Sequence, residues 1–338
     1  MVQSNKIFHR LERGLLMKRF LIFLIPLISL FCCGKKEAVE ELSPGHTVTI
    51  QAGDIKAVFV DNTSFGTHRA WYNGVASLIH KADTANIFRP RVAGLNFEHI
   101  FDGAKWWEPA EALFEPRDCP MNIKRISDKA VALHQPSTKL HKLESWTTFT
   151  VAEPHYIDME FTCIPLAETF DRTYIGLFWA SYINTKVHKG YYFIGRKTVN
   201  DQKQWIEINS PAHNIESSVR FELDERDPSF VEEYPPRLFN NYLDYRYSYP
   251  FYYGRRGKMA WLLMFDKAGP VRFSHSPTSG APVGPGTEPA WDFHYLFYDY
   301  TVGEKYGFKA RLAYKPFISR EDIIEEYEKW SGEKVELP

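Results

Sequence analysis

Cysteine is scarce in this chain, with four among 338 residues. Two of them, Cys32 and Cys33, are adjacent near the N-terminus. The other two, Cys119 and Cys163, form no CxxC spacing, which argues against a structural thiolate metal site. Charge of one sign is also missing: 41 basic side chains face 42 acidic ones, leaving no broad field for nucleic acid or an anionic membrane surface. The familiar catalytic signatures are absent, with no HExxH, no GxSxG, no P-loop and no GxGxxG. No internal repeat and no second composition regime divide the chain after residue 45.

What is there in abundance is apolar and aromatic. Hydrophobic residues make up 44% of the chain and aromatics 16%, the latter as 9 Trp, 19 Tyr and 25 Phe. A chain of this length can bury a full core or two small ones. β-rich proteins place most such aromatics in strands and core.

The N-terminus carries its own pattern. Lys18 and Arg19 precede a largely apolar run from Phe20 to Phe31, of signal h-region length and too short to span a bilayer comfortably. The run stops at Leu30-Phe31-Cys32-Cys33-Gly34, and an acidic, unpatterned tether leads on to Pro44. This resembles a bacterial lipoprotein signal, with Cys33 the lipidated residue and Leu30 three positions before it. Phe31 and Cys32 are bulkier than that pattern usually has, and Cys32 is the alternative acceptor. The resemblance implies a signal peptide over 1–33, a tether over 34–45 and one mature domain over 46–338. It further implies a lipid-anchored place in the bacterial cell envelope, where the only membrane contact is the anchor. In an oxidising envelope Cys119 and Cys163 either pair or remain as buried free thiols.

From residue 46 onward the rhythm is of strands. Thr47–Gln51, Ile55–Val60, Val75–His80, Arg91–Phe101, Ala130–His134, Ser145–Val151, Tyr156–Cys163, Thr173–Ile183, Gly190–Ile194, Gln204–Asn209, Val219–Leu223, Val271–His275, Trp291–Tyr298 and Phe308–Tyr314 alternate or run apolar between turn residues. Residues 104–121 read as a loop or one helical turn, 225–242 as a proline-broken excursion, and 276–289 as a long Pro/Gly loop. One helix ends the chain: Ser319 and Asp322 form a capping pair, Ile323, Tyr327 and Trp330 share a face, and Gly332 suits the stop. The predicted class is mostly β, a large antiparallel β-sandwich closed by a C-terminal helix.

The stretch Asn240–Phe265 is the densest. Tyr242, Tyr245, Tyr247, Tyr249, Tyr252 and Tyr253 lead to a hinge of Gly254, Arg255 and Arg256, then to an apolar run, Met259–Phe265, that reads as a strand buried on both faces. Phenols, guanidiniums and a glycine able to take positive φ would suit a polyhydroxylated or anionic ligand.

Other candidates sit at strand ends. Along an extended Asn96–Phe101, Glu98 shares a side with Asn96, and His99 falls on the opposite side with Phe97 and Phe101, so Glu98 and His99 would not meet in one pocket. Glu98 is the better acid/base candidate of the two. Asp292 and His294 lie two apart on one face, as an oriented base or as a surface ion pair. His213, beside Asn214, sits in a loop with Arg220 beyond it. His68, Arg69, Tyr72 and Asn73 form a polar-aromatic cluster, Trp291 opens a strand, and His275 stands at the mouth of the Pro/Gly loop. No histidine spacing specifies a metal, and nothing calls for a cofactor.

Aromatic faces beside Arg, Asn, Asp and His are what sugar recognition requires. In strand rhythm, residues 46–338 resemble the galactose-mutarotase-type β-sandwich used by carbohydrate-processing proteins. Gly66–Gly74, Asn96–Gly103 and Tyr252–Arg255 are also similar to segments of uncharacterised envelope proteins from polysaccharide-degrading bacteria. The resemblance implies a carbohydrate partner. A glycoside hydrolase would use Glu98 and Asp292 as its carboxylates. A polysaccharide lyase would use Tyr252 as the phenol, His213 as base and Arg255 against a uronate. Tyr253 would join the ligand surface. The alternatives are a non-catalytic glycan-binding module and a structural lipoprotein.

Overall fold

The structure, a computed structural model, describes residues 45–104, 113–282, 284 and 286–337. The expected signal peptide and tether, Cys33 included, lie outside the described residues.

In chain order the strands are β1 (Thr47–Ala52), β2 (Ile55–Val60), β3 (Gly74–His80) and β4 (Asn96–Phe101), followed by the single-turn helix α1 (Glu115–Asp118). Then come β5 (Asn122–Arg125), β6 (Ala130–Gln135), β7 (Leu143–Ala152), β8 (Tyr156–Pro165), β9 (Tyr174–Ala180), β10 (Tyr191–Arg196) and β11 (Gln204–Ile208). The last third holds β12 (Ser218–Phe221), β13 (Tyr242–Tyr247), β14 (Phe251–Arg256), β15 (Met259–Phe265), β16 (Val271–Ser276), β17 (Ala290–Tyr298), β18 (Tyr306–Pro316) and α2 (Arg320–Ser331).

β1, β2 and β3 make a small antiparallel sheet. The rest join a large one in the order β4-β9-β17-β16-β12-β13-β10-β14-β15-β18-β8-β7-β6-β5, with β11 beside β10. Its pairs are antiparallel except β12 with β13. That sheet folds over on itself. Trp179 of β9 meets Phe161 of β8 edge-on at 4.8 Å, and Phe265 of β15 meets Phe293 of β17 at 4.8 Å, although neither pair belongs to neighbouring strands. The inward rings form one core between the layers, and Phe59 of β2 stacks on Phe149 of β7 at 5.2 Å. The chain is thus a mostly β, antiparallel-dominated sandwich.

β15 is buried on both faces, as its unbroken apolar run requires. Trp261, Leu263 and Phe265 enter the central core, while Ala260, Leu262 and Met264 lie beneath α2. α2 therefore covers a sheet face rather than an edge, with Tyr327 4.6 Å from Phe251. Ser319 accepts the Asp322 N–H at 3.2 Å, and Gly332 ends the helix at φ +76°. Ser319→Ala is expected to cost about 1 kcal/mol in chemical denaturation, the usual worth of such a cap.

Gly254–Arg256 is not a hinge. It continues β14, and the turn comes at Gly257, whose φ is +56°. Gly254 is needed for close approach instead: a Cβ there would lie 2.3 Å from the Trp291 ring. Gly254→Ala is expected to destabilise by about 1–3 kcal/mol, the range for overpacking a filled core, again read from denaturation midpoints.

The long strand expected from Arg91 begins only at Asn96, because Arg91 (φ +75°) and Leu95 (φ +46°) turn left-handed before it. Cys119 and Cys163 are both free and buried. The excursion after β12 packs Tyr234, Leu238 and Phe239 onto the outer face of β4, β9 and β17, over Phe101, Phe178 and Leu296. That covered face holds the site.

Candidate functional site

The site begins with an irregularity in β4. Phe97 pairs with Trp179 of β9, but the next pair is His99 with Phe178. Two residues, Glu98 and His99, therefore oppose one. Such a bulge breaks the period-two alternation. Phe97 and Ile100 remain in the core, and both Glu98 and His99 turn outward into the same cleft. The expectation that they face apart fails for this reason.

Glu98 is 7% exposed and surrounded by donors. Arg117 Nη2 lies 2.6 Å from Oε2, and the Tyr182 hydroxyl and the Asn96 amide donate to the same oxygen at 2.9 and 3.1 Å. His99 Nε2 stands 3.3 Å from Oε1, with its Nδ1 3.2 Å from the Leu113 carbonyl. Burial alone would raise the Glu98 pKa. The Arg117 charge, then His99 and Tyr182, overcome it and hold the carboxyl down at about 2. Burial pulls the His99 pKa below its ordinary value, against the opposing pull of Glu98.

Arg117 comes from α1, which is too short to hold itself. The Asn62 amide donates to the carbonyls of Arg117 (3.2 Å) and Cys119 (2.6 Å), and the Gln135 amide to that of Pro116 (2.9 Å). The Glu115 carboxylate accepts the His141 N–H at 3.0 Å. So fastened, the guanidinium lies 4.4 Å over the Tyr72 ring and donates to the Tyr182 oxygen at 2.8 Å.

Asp292 lines the same cleft from β17. Its Oδ1 accepts the Ser181 N–H at 2.9 Å. Burial nevertheless drives its pKa well above the carboxylate range, with Glu98 adding to the rise. Burial thus favours the protonated form of Asp292, beside a Glu98 whose donors favour the ionised form. His213 enters from its loop, with Nδ1 2.8 Å from Ser276 Oγ and a pKa lowered by burial. Tyr72, Phe114, Phe178, Tyr182 and Phe239 wall a cavity of about 310 Å³, and Arg237 and Asn214 complete its rim.

His294 shares the outward face with Asp292, but neither is at the surface. The Ser218 hydroxyl donates to the Leu238 carbonyl, so Ser274, 2.9 Å away, must donate to Ser218. Ser274 then accepts from His294 Nδ1 at 2.9 Å. Each hydroxyl has one proton to give, so His294 Nε2 is a bare lone pair, buried without a hydrogen-bond partner.

Of the residues singled out in the sequence, the cleft gathers Tyr72, Glu98, His99, His213 and Asp292. Asn96 and Asn73 support them: the Asn73 amide donates to the Phe97 carbonyl at 2.9 Å, and Asn96 Oδ1 accepts the Asn73 N–H at 3.1 Å. The central tyrosines do not come. Alternation along β14 sends Tyr252 into the core, 4.4 Å from the Tyr191 ring, and Tyr253 beneath α2. Arg255 lies 4.2 Å over Phe317, on the helix side. His275 is fully buried between Ser210 and the Lys189 carbonyl, which also takes the Trp291 indole N–H at 2.7 Å. Both fasten a loop. His68 holds the Tyr72 carbonyl at 2.6 Å, and Arg69 stands outside the cleft.

Among the described residues Asp54, His80 and His155 bring ligand-type atoms within 4.8 Å of one another. The Ala82 N–H donates to His80 Nδ1 at 3.0 Å, which puts the ring proton on Nε2, where a cation would need the lone pair. Lys81 takes an Asp54 oxygen at 2.5 Å. This is an ion-pair network.

No family model matches the sequence, and no curated protein does. Solved structures that resemble the chain include a galactose mutarotase-like protein from Lactobacillus casei, at 12% identity and TM-score 0.44, covering 79% of this chain and 99% of that one. An aldose epimerase homologue from C. elegans is similar at 7% identity and TM-score 0.45, covering 81% and 100%. A heparan sulfate lyase from Pedobacter heparinus is similar at 9% identity and TM-score 0.41, covering 81% of this chain and 36% of its own. At these identities no side chain carries over.

Arg117, Tyr182, Arg237 and Phe239 belong to the cleft and have no motif in the sequence. Arg117 stands in a segment that reads as a loop or one helical turn, and Tyr182 at the end of an apolar strand. Only the covering excursion, broken by Pro235 and Pro236, hinted that something lies beneath it.

Proposed function

We propose that this protein is an envelope lipoprotein, anchored through Cys33, that binds a carbohydrate in the cleft and acts on it by proton transfer. One observation carries the reading. Glu98 and Asp292 share one aromatic-walled cleft, and their surroundings push them to opposite protonation states, the usual sign of divided acid and charge-stabilising roles. The aromatic walls suit the apolar face of a sugar ring, and Arg117, Arg237 and His213 its hydroxyls. At about 310 Å³ the cavity is at the small end for ligands and matches one ring rather than a long groove.

In this reading Asp292 gives its proton to the oxygen leaving the anomeric carbon, and ionised Glu98 steadies the positive charge that develops there. His213, whose pKa burial lowers, accepts the proton of the water whose oxygen bonds to the anomeric carbon as the leaving oxygen departs. The lyase arrangement built on Tyr252 and Arg255 has no support, since neither side chain reaches the cleft. The test is incubation of the full-length protein with a panel of neutral and uronic saccharides. New reducing ends that disappear in Asp292→Asn support glycoside hydrolysis. Saturable binding without turnover would replace it with a non-catalytic glycan binder, and no binding by any saccharide overturns both.

A further inference from the structure

The loop between β2 and β3 has two sides. Tyr72 faces the cleft, while Ser64, Gly66, Thr67, Arg69 and Trp71, with Arg91 opposite, enclose an open hollow of about 600 Å³. Trp71 is the most exposed tryptophan among the described residues, at 51%. It is held at φ +83°, and Arg91 at φ +75°. Left-handed backbone at a bulky non-glycine residue costs on the order of 1–3 kcal/mol, and such strain persists only where the surroundings impose it.

Here they do. The Trp71 N–H donates to the Asn62 carbonyl at 2.9 Å, the Arg69 N–H to the Arg91 carbonyl at 3.0 Å, and Arg91 Nε to the Thr67 carbonyl at 3.2 Å. Asn62 in turn holds the Arg117 carbonyl. The hollow is thereby locked to the element that supplies the cleft's guanidinium. The Tyr72 ring, which lines the cleft, has Arg117 of the cleft at 4.4 Å and Arg69 of the hollow at 5.3 Å. Among the described residues, two guanidiniums and no carboxylate line the hollow.

We propose that this hollow is an outer subsite for an acidic sugar ring, with Trp71 as the platform for the ring face and Arg69 and Arg91 as partners of its carboxylate. It rests on the carbohydrate reading of the cleft and extends it from one ring to an oligouronate. Exposed indole faces bind sugar C–H groups, and paired guanidiniums recognise carboxylates bidentately.

The test is calorimetric binding of single-ring and three-ring galacturonate, glucuronate and mannuronate to the full-length protein, with maltotriose as the neutral control. At least one uronate is expected to bind more tightly as the trimer. Trp71→Asn, which tolerates left-handed backbone, is expected to weaken that trimer roughly tenfold and to leave the single ring unchanged. Trp71→Phe should restore most of the loss. Arg69→Ala with Arg91→Ala should remove the preference over maltotriose and flatten the salt dependence. Trp71→Gly, freed of the left-handed penalty, should melt no lower than the wild type while binding like Trp71→Asn, which excludes misfolding as the cause. Single-ring binding with no gain from added rings, or trimer binding indifferent to Trp71, overturns the subsite and leaves the cleft reading standing. Failure of every uronate and of maltotriose to bind overturns the cleft reading and this inference with it.

Discussion

Arg117→Ala is expected to lower the unfolding free energy by about 3–5 kcal/mol, the cost of leaving one member of a buried ion pair without its partner. Arg117 and Glu98 are 9% and 7% exposed, and their 2.6 Å contact is the shortest of the four polar contacts made to Glu98. Without the guanidinium, burial acts on Glu98 with only His99, Tyr182 and Asn96 opposing it, so its pKa should rise from about 2. Tyr72 and Tyr182 would lose a contact as well. The double variant Arg117→Ala with Glu98→Gln removes the stranded charge and should recover a substantial part of the loss. Urea unfolding of the wild type, both single variants and the double variant closes the cycle. A loss under about 1 kcal/mol for Arg117→Ala, the range of exposed pairs, would show that water reaches the pair and that the cleft is not as enclosed as drawn.

Asp292→Asn is expected to separate chemistry from fold. Asparagine keeps an oxygen for the Ser181 N–H and is neutral, the form that burial favours for the carboxyl. Turnover, where the protein has it, should fall by about 10²–10⁴, the contribution of a positioned general acid. Stability should change with pH in a way that identifies each carboxyl. Glu98 has a folded pKa below its unfolded one, so the stability it lends is present above about pH 4.3 and is lost as pH falls toward about 2. Asp292 has a folded pKa above its unfolded one, so its contribution is full below about pH 3.9 and is lost as pH rises toward the folded value. Asp292→Asn should therefore flatten the decline on the alkaline side and leave the acid limb unchanged. Denaturant midpoints from pH 2 to pH 9 would read both. An alkaline limb identical in wild type and variant would mean that Asp292 is ionised, and the acid assigned to the cleft would be gone.

Much of the scaffold was legible before any coordinates. β15 reads as doubly buried because nothing polar interrupts Met259–Phe265, and its two faces indeed meet the core and α2. α2 announces itself through Ser319, its apolar stripe and Gly332, all of them local signals. Turn residues mark the strand ends for the same reason: φ and ψ at a turn depend on the residue that occupies it.

The site was legible in fragments only. Glu98, Asp292 and His213 stood out because carboxylates and imidazoles at strand ends are chemically conspicuous. Arg117 did not, since its place above Tyr72 depends on Asn62, in the loop after β2, and Gln135, at the end of β6, reaching α1. The tyrosine run misled because composition says nothing of facing. Residues that crowd one another in sequence alternate between opposite faces of β14.

The chain by itself determined its strands, its final helix and which side chains could do chemistry, because these follow from local propensity and from the period of apolar residues. Tertiary structure decided which of those side chains meet. One extra residue in β4 turns His99 to the side of Glu98; burial then raises the pKa of Asp292, while Arg117, His99 and Tyr182 overcome burial at Glu98 and lower its own. Pairing register and desolvation are set by groups far along the chain, and no local pattern encodes them.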